Sequence, residues 1–407
     1  MVISLQQDSL NSPELSQQFI QLSQVLQSYQ AYWRLTPFTC HQLPWSDAKL
    51  QQVLMALSDH EVSLIDQSSQ LQHDHFSQLF PQLFSLPKII AANKPQTLKP
   101  LPFWLTNGVN GRKLAQIEAL CQHWADSNSP VVEWCAGKGH LGRMLAYRFT
   151  QPVTSIEWQA SLCQQGAVLA KQFGLPQNFI QADVLKLEAA AILQPKQHVV
   201  ALHACGQLHI SMLQQAVAAG CEHIQLVPCC YHLIHHECYQ PLSALGQQHN
   251  LGLDKQQLKL VVQGQVTAGE RIERLRNTEV HWRLAYELLR QEHNNDKEYR
   301  PLASVAKQLF SGDFSDFANW AAQQHQWQLP ANVDWAFYLK VGAKRQQLIN
   351  RIELVRHLFR RPLELWLLLD KMLFLQQHGY QVQAGQFCDY QQTPRNLLLT
   401  ARKQSKL

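Results

Sequence analysis

Between Val131 and Val227 the chain alternates short apolar runs with helical stripes, and no other feature restricts its fold as tightly. Val131–Cys135, Val153–Glu157, Asn178–Gln181, Val199–His203 and His223–Val227 have the length and apolar content of strands. Arg112–Ala125, a stretch through Leu141, Met144 and Leu145, Ser161–Phe173 and Ile210–Ala219 carry helical spacing around and between them. Helical crossovers make successive strands parallel. The expectation is an α/β fold with a doubly wound, mostly parallel, Rossmann-like sheet.

The alternation stops at Pro228-Cys229-Cys230-Tyr231-His232, and about a hundred mainly helical residues follow, including Glu270–Arg290 and Pro301–Leu309. It resumes with a helix over Pro362–His378 and strands at Gln381–Phe387 and Asn396–Thr400. A large helical insertion after the fifth strand accounts for the gap. The first hundred residues read as helices, starting at Ser12-Pro13 and at Ser46, where Leu50, Val53, Leu54 and Leu57 make one face. Leu86–Pro102, with four prolines, reads as a boundary. The expected domains are a helical cap or scaffold over 1–104, a core over 105–236, an insertion over 237–350, and 351–407 completing the core.

Composition narrows the class. Of 407 residues, 46% are apolar and only 16% charged, with glutamine pairs inside periodic segments, so a disordered chain is excluded. The net charge of +5 tolerates an anionic partner without requiring one. The N-terminal residues lack the pattern of a secretory signal. Leu363–Leu375, the most apolar stretch, is too short for a bilayer and contains Glu364, Asp370 and Lys371, so no membrane partner is expected. Ten scattered cysteines suit a reducing cytosol, and the expected location is cytoplasmic.

Ligands of an open parallel sheet sit beyond the carboxyl ends of its strands. Gly137 and Gly139 follow the first strand there, where missing side chains allow a sharp turn and a close ligand approach. Glu157 ends the second strand about twenty residues on, the place for a carboxylate that accepts from ribose hydroxyls. Asp183 follows the third strand, where it can face a nucleobase edge. Glu133 can support the loop or the positive end of a ligand. On spacing alone, nicotinamide and flavin cofactors fit part of the same pattern.

Val131-Val132-Glu133-Trp134-Cys135-Ala136-Gly137-Lys138-Gly139-His140-Leu141-Gly142 resembles the first motif of class I S-adenosylmethionine-dependent methyltransferases. Together with Leu202-His203-Ala204-Cys205-Gly206 and Cys229-Cys230-Tyr231-His232, it is similar to a narrower family. That family holds the methyltransferase-like protein 25 group and the glutathione-transferase-C-terminal-domain-containing relatives. Pro241-Leu242-Ser243, Arg274 to Glu279 and Thr393-Pro394-Arg395-Asn396 look like its pattern too, and the resemblance spans roughly 105–290 and 360–403. It implies a class I sheet and S-adenosylmethionine as cofactor. Gly137 and Gly139 would border the methionine part, Glu157 would hold the ribose and Asp183 the adenine amino group. Cys135 replaces the commonest glycine of the general motif, a departure the narrower family tolerates.

His203, Cys205, Cys229, Cys230, Tyr231 and His232 lie at two strand ends expected to be neighbours, with His235, His236 and Cys238 close behind. The thiols can be nucleophiles, metal ligands or lining of an acceptor pocket. Lining is preferred and no metal is expected. The Asp-Ala-Pro-Cys context of RNA cytosine-5 enzymes is absent, and the ligand spacing is not a standard zinc pattern. His203 and His232 are candidate proton acceptors. Asn-Pro-Pro-Tyr or Asp-Pro-Pro-Tyr, the adenine amino-methylation signature, is also missing. Arg271, Arg274 and Arg276, and Arg351, Arg356, Arg360 and Arg361, read either as phosphate contacts or as salt-bridged helix faces. The expected function is methyl transfer, with RNA slightly preferred over a protein or small-molecule acceptor. The alternatives are a catalytically silent RNA- or protein-binding scaffold and an NAD-dependent oxidoreductase.

Overall fold

Residues 12–86, 95–124, 128–186, 191–263, 270–294, 296 and 298–404 are described by a computed structural model. The strands, in chain order, are β1 Val131–Trp134, β2 Val153–Glu157, β3 Gln177–Gln181, β4 His198–Cys205, β5 His223–Cys229, β6 Tyr380–Gln386 and β7 Leu397–Lys403. They form one mixed sheet in the order β3-β2-β1-β4-β5-β7-β6. The first five are parallel, and β7 runs antiparallel to both β5 and β6. The order reverses between β1 and β4, so a crevice opens beyond their carboxyl ends.

Apolar spacing explains the helices that cover this sheet. His140–Phe149 buries Leu141, Met144 and Leu145, and Gly111–Gln122 buries Ile117 and Leu120. Both stripes pack with Val131, Val153, Val200, Val227 and Leu398 into one core. The Gly111–Gln122 helix starts where Asn110 accepts from the Arg112 N–H, and the Ala125 end expected from the sequence lies outside the described residues. The helix Arg360–Gln377 is buried on every side from Pro362 to Leu375, packing against Ser12–Ser28, Lys255–Val262 and β6. That surrounding explains an apolar run that is not confined to one stripe. Among the described residues no helix is long and apolar enough to cross a membrane.

The chain divides into two compact units. One comprises Met1–Ser28, Ser85–Gly264 and Arg360–Leu407; the other comprises Tyr29–Phe84 and Gln265–Phe359. The Ser12–Ser28 helix thus belongs to one unit and the helices within Tyr29–Phe84 to the other. Both parts are amphipathic helices, whose stripes do not say which neighbour they cover. In the second unit, Trp282, Phe310, Phe314, Phe317 and Tyr338 make an aromatic core. Asp59 receives Arg351 at 2.8 Å there.

Two local expectations are corrected. The helix expected from Ser46 is Ala48–Ala56, because the Asp47 carboxylate accepts from the Lys49 and Leu50 N–H groups and caps it. Pro301–Leu309 is irregular until a single 3-10 turn at Lys307–Ser311. The Arg283 guanidinium takes the Leu302 and Ala303 carbonyls at 3.0 and 2.9 Å, where a helix would need them for its own ladder. The expected Leu86–Pro102 boundary falls partly outside the described residues, which omit 87–94.

Candidate functional site

The site grows from the turn that links β1 to the helix His140–Phe149. Cys135, Gly137 and Gly139 all hold left-handed backbone, with φ of 55°, 59° and 65°. At Gly139 a Cβ would overlap the Gln177 and Phe179 side chains, whereas over Gly137 nothing lies within 4 Å. Glycine is thus needed for packing at the first position and leaves free approach to the backbone at the second. Beneath the turn, Gln177 Nε2 donates to the Gly139 carbonyl and to Ser155 Oγ, both at 2.9 Å. Ser155 Oγ in turn donates to Glu133 Oε2 at 2.7 Å.

Glu133 is buried, and burial pushes its carboxyl up to about 7 despite the Ser155 and Gly142 donors. Its folded pKa lies above the ordinary value of 4.5, so its contribution to stability is full below that value and is lost as pH rises through about 7. The full cost above the folded pKa is about 3 kcal/mol. Glu133→Gln keeps an acceptor oxygen and cannot ionise. Its urea midpoint should equal the parent's in acid and exceed it above neutrality. Stability curves that run parallel from pH 4.5 to about 7 would show that Glu133 titrates as an ordinary carboxylate.

Glu157, at the end of β2, is 7% exposed. Its Oε2 accepts from the Gly137 N–H at 2.9 Å and its Oε1 from the Gln159 N–H at 3.0 Å. A carboxylate offers about four lone-pair positions, so two remain for a further donor pair. Trp158 beside it is 66% exposed, a flat apolar surface that the sequence reading passed over. Asp183 is half-buried after β3, with Oδ1 accepting from the Leu185 N–H at 3.1 Å. Burial pushes the Cys135 thiol up to about 12, which keeps it protonated and weakly nucleophilic.

Across the crevice, β4 and β5 end side by side with Cys205 paired to Cys229. The register slips between Leu202 and Ala204, and His203 there has φ of 66°. Such a bulge re-aims a side chain. His203 Nε2 meets Gln116 Oε1 on the Gly111–Gln122 helix, so Nε2 carries the proton and Nδ1 the lone pair. Burial, with help from Arg395, holds its pKa down at about 4. His203 is therefore neutral near pH 7 and a weak base.

Cys230 follows β5 with φ of 44°, a backbone strain of roughly 1–3 kcal/mol for a residue with a Cβ. Cys205 and Cys229 lie 3.1 Å apart at sulfur, and the three Sγ atoms of Cys205, Cys229 and Cys230 all lie within 4.8 Å of one another. Hydrogen bonds from the other two thiols, aided by Arg395 and His232, hold the Cys230 thiol well below its ordinary range. Cys205 is pushed up to about 11, and Cys229 further still.

Tyr231 is buried with no hydrogen-bond partner for its hydroxyl among the described residues. Its ring faces the Lys371 ammonium at 5.3 Å and His209 at 5.6 Å. Lys371 is wholly buried, and desolvation lowers its pKa to about 8. His232 is half-buried, its pKa lowered chiefly by burial. His235 and His236 are exposed, and Cys238 bridges to Asp254, so none of the three joins the thiol trio. Arg395 and Lys371 were not among the expected site residues. Arg395 had a signal, its place in Thr393-Pro394-Arg395-Asn396, while Lys371 sits unmarked in an apolar helix.

The two arginine groups part ways. Arg351 holds Asp59 and the Leu57 carbonyl, Arg356 pairs with Glu353 at 2.6 Å, Arg360 takes the Gln263 carbonyl, and Arg361 pairs with Glu364 at 2.6 Å. That group is structural. Arg271, Arg274 and Arg276 are exposed. Arg274 borders an open cleft of about 420 Å³ with Glu273, Asn277, Thr278, His281 and Gln346.

Residues 112–237 match a family model described as a methyltransferase domain. No curated protein matches the chain. Three of the solved structures that share local similarity illustrate its extent. Geranyl diphosphate C-methyltransferase from Streptomyces coelicolor A3(2) is 11% identical, covering 33% of this chain and 57% of its own, with a TM-score of 0.25. TrmN from Thermus thermophilus is 15% identical over 44% and 66%, with a TM-score of 0.26. Coclaurine N-methyltransferase is 12% identical over 53% and 58%, with a TM-score of 0.25. The chain thus spans little more than half the length of the first of these.

Proposed function

We propose that the chain is a class I S-adenosylmethionine-dependent methyltransferase that grips its cofactor between the Cys135–Gly139 turn and Glu157, and transfers the methyl group to RNA. The observation that carries the cofactor part is the Glu157 carboxylate, held on the Gly137 N–H with two lone-pair positions left over, beside an open approach to the turn. Glu157 would receive the ribose hydroxyls, Asp183 the adenine amino group, and Trp158 would lie against the base. Gly137 and Gly139 would border the methionine moiety, with Cys135 lining it and Glu133 fixing the turn from below.

Bound S-adenosylmethionine supplies an electrophilic methyl on a sulfonium, so the protein's task is in-line positioning and exclusion of water. We assign that task on the acceptor side to His203, Cys205, Cys229, Cys230, Tyr231 and His232, which crowd the β4 and β5 ends. His232 is the better candidate of the histidines to take an acceptor proton, since burial and Arg395 leave His203 a weak base. RNA is favoured by the net charge of +5 and the exposed Arg271, Arg274 and Arg276. The narrower family resemblance does not point to a secreted metabolite pathway, and ten free cysteines suit a cytosolic enzyme.

Calorimetric titration of the full chain with S-adenosylmethionine, S-adenosylhomocysteine and NAD tests the cofactor part. Both sulfur compounds should bind and NAD should not; tighter NAD binding without the others would sink it. Tritiated methyl transfer into extract from a strain lacking the protein tests the acceptor. Label released by nuclease supports RNA, whereas label that resists nuclease and is lost on proteolysis assigns a protein acceptor. Label resistant to both enzymes and of low mass assigns a small molecule.

A further inference from the structure

We propose that Cys205, Cys229 and Cys230 form a three-thiolate site for zinc(II) whose fourth coordination position is open to a water or an acceptor heteroatom. The geometry begins in the sheet. Cys205 and Cys229 are register partners at the ends of adjacent parallel strands, so their side chains leave the same face. Cys230, one residue on, would point to the opposite face if the strand continued. Its left-handed φ of 44° instead turns the chain, and the third sulfur comes within 4.8 Å of the other two. Strain held at a residue with a Cβ, where glycine would be relaxed, is a mark of a functional position.

The surrounding backbone fixes the two ligand-bearing segments against each other. The Gly206 N–H donates to the Cys229 carbonyl at 3.0 Å, the Leu233 N–H to the Cys230 carbonyl at 2.9 Å, and the Gln207 N–H to the Leu233 carbonyl at 2.7 Å. Any Cβ at Gly206 would overlap the Leu233 backbone. Three sulfurs on a tetrahedral zinc, with Zn–S near 2.3 Å, lie about 3.8 Å apart, within the observed span. Soft thiolates select zinc over magnesium or calcium. Loading would release the protons of the ligating thiols to solvent. The resulting three negative charges would be balanced by the zinc dication together with the Arg395 guanidinium, whose field reaches Cys205 and Cys230. Cys205 and Cys230 are half-buried and Cys229 buried, which leaves one side of the trio accessible. A structural zinc site is closed by a fourth protein ligand, and an open position is the mark of the catalytic kind.

The test uses the full chain purified with reductant and without chelator, with zinc measured by plasma mass spectrometry. About one equivalent is expected, falling at least tenfold in Cys229→Ser and Cys230→Ser and unchanged in Cys238→Ser. Since a serine variant can lose zinc by misfolding, the parent is also stripped and titrated with cobalt(II). A thiolate-to-cobalt charge-transfer band with tetrahedral visible bands supports the site. A parent chain free of zinc that gives no such band overturns it, as does zinc retained after both replacements. Peptide mapping that finds a Cys205–Cys229 disulfide in place of metal overturns it too. Zinc content and methyl-donor binding are read separately, so failure of one leaves the other standing.

Discussion

Glu157→Ala should bind S-adenosylmethionine roughly ten- to a hundredfold more weakly than the parent chain, with a smaller effect on folding. The bonds lost are charge-assisted, each worth about 1.5–3 kcal/mol to a donor on the ligand. The same carboxylate also receives the Gly137 and Gln159 N–H groups, so alanine loosens the turn as well as removing the contact. Glu157→Gln separates the two effects, because it keeps one acceptor for the backbone and loses the charge. Its affinity should fall between those of the parent and the alanine variant, measured by calorimetry on protein whose circular dichroism matches the parent. Unchanged affinity in a folded Glu157→Ala would remove this residue from the cofactor site.

Asp370→Ala should cost about 3–5 kcal/mol of folding stability, the largest loss expected from any single side chain named here. Asp370 is fully buried in the Arg360–Gln377 helix. It accepts from Tyr239 Oη at 2.7 Å, the Leu242 N–H at 2.9 Å, the Ser243 N–H at 3.0 Å and Ser243 Oγ at 2.7 Å. One carboxylate thus anchors the Pro241-Leu242-Ser243 segment, and its removal leaves those donors in a dry interior beside the buried Lys371. Asp370→Asn, which keeps one acceptor, should lose less. Chemical denaturation of the three proteins checks the order, and an alanine variant within about 1 kcal/mol of the parent would show that water replaces the carboxylate.

The sheet was legible because each strand is bounded by a change of period that a local window can see. β2 was read in full, whereas β4 and β5 were read short. Their ends carry a bulge at His203 and a proline at Pro228, which local rules take as stops. Pro228 is tolerated because β7 pairs only with His223 through Leu226, so no ladder partner on that side needs its missing N–H. Glu157 was legible from its spacing after the glycine turn. The meeting of the thiols was legible as far as Cys205 and Cys229; Cys230 joins through one backbone dihedral, which no side-chain pattern encodes. Arg395 arrives from beyond the insertion, a long-range contact to which periodicity is blind.

The strand order carries a consequence for synthesis. β5 is flanked by β4, made just before it, and by β7, made only after the insertion and the Arg360–Gln377 helix. From the time His223–Cys229 leaves the ribosome until Leu397–Lys403 follows, one of its edges has no strand to receive. Its residues are all buried in the finished sheet and most are apolar, so the waiting strand presents Ile224, Leu226 and Val227 as well as free N–H and carbonyl groups. The Ser12–Ser28 helix, more than three hundred residues earlier in the chain, likewise waits for Arg360–Gln377, its main neighbour in the finished unit. An unpaired edge of this kind favours strand-to-strand association, and the time it stays open is set by how long the insertion takes to translate.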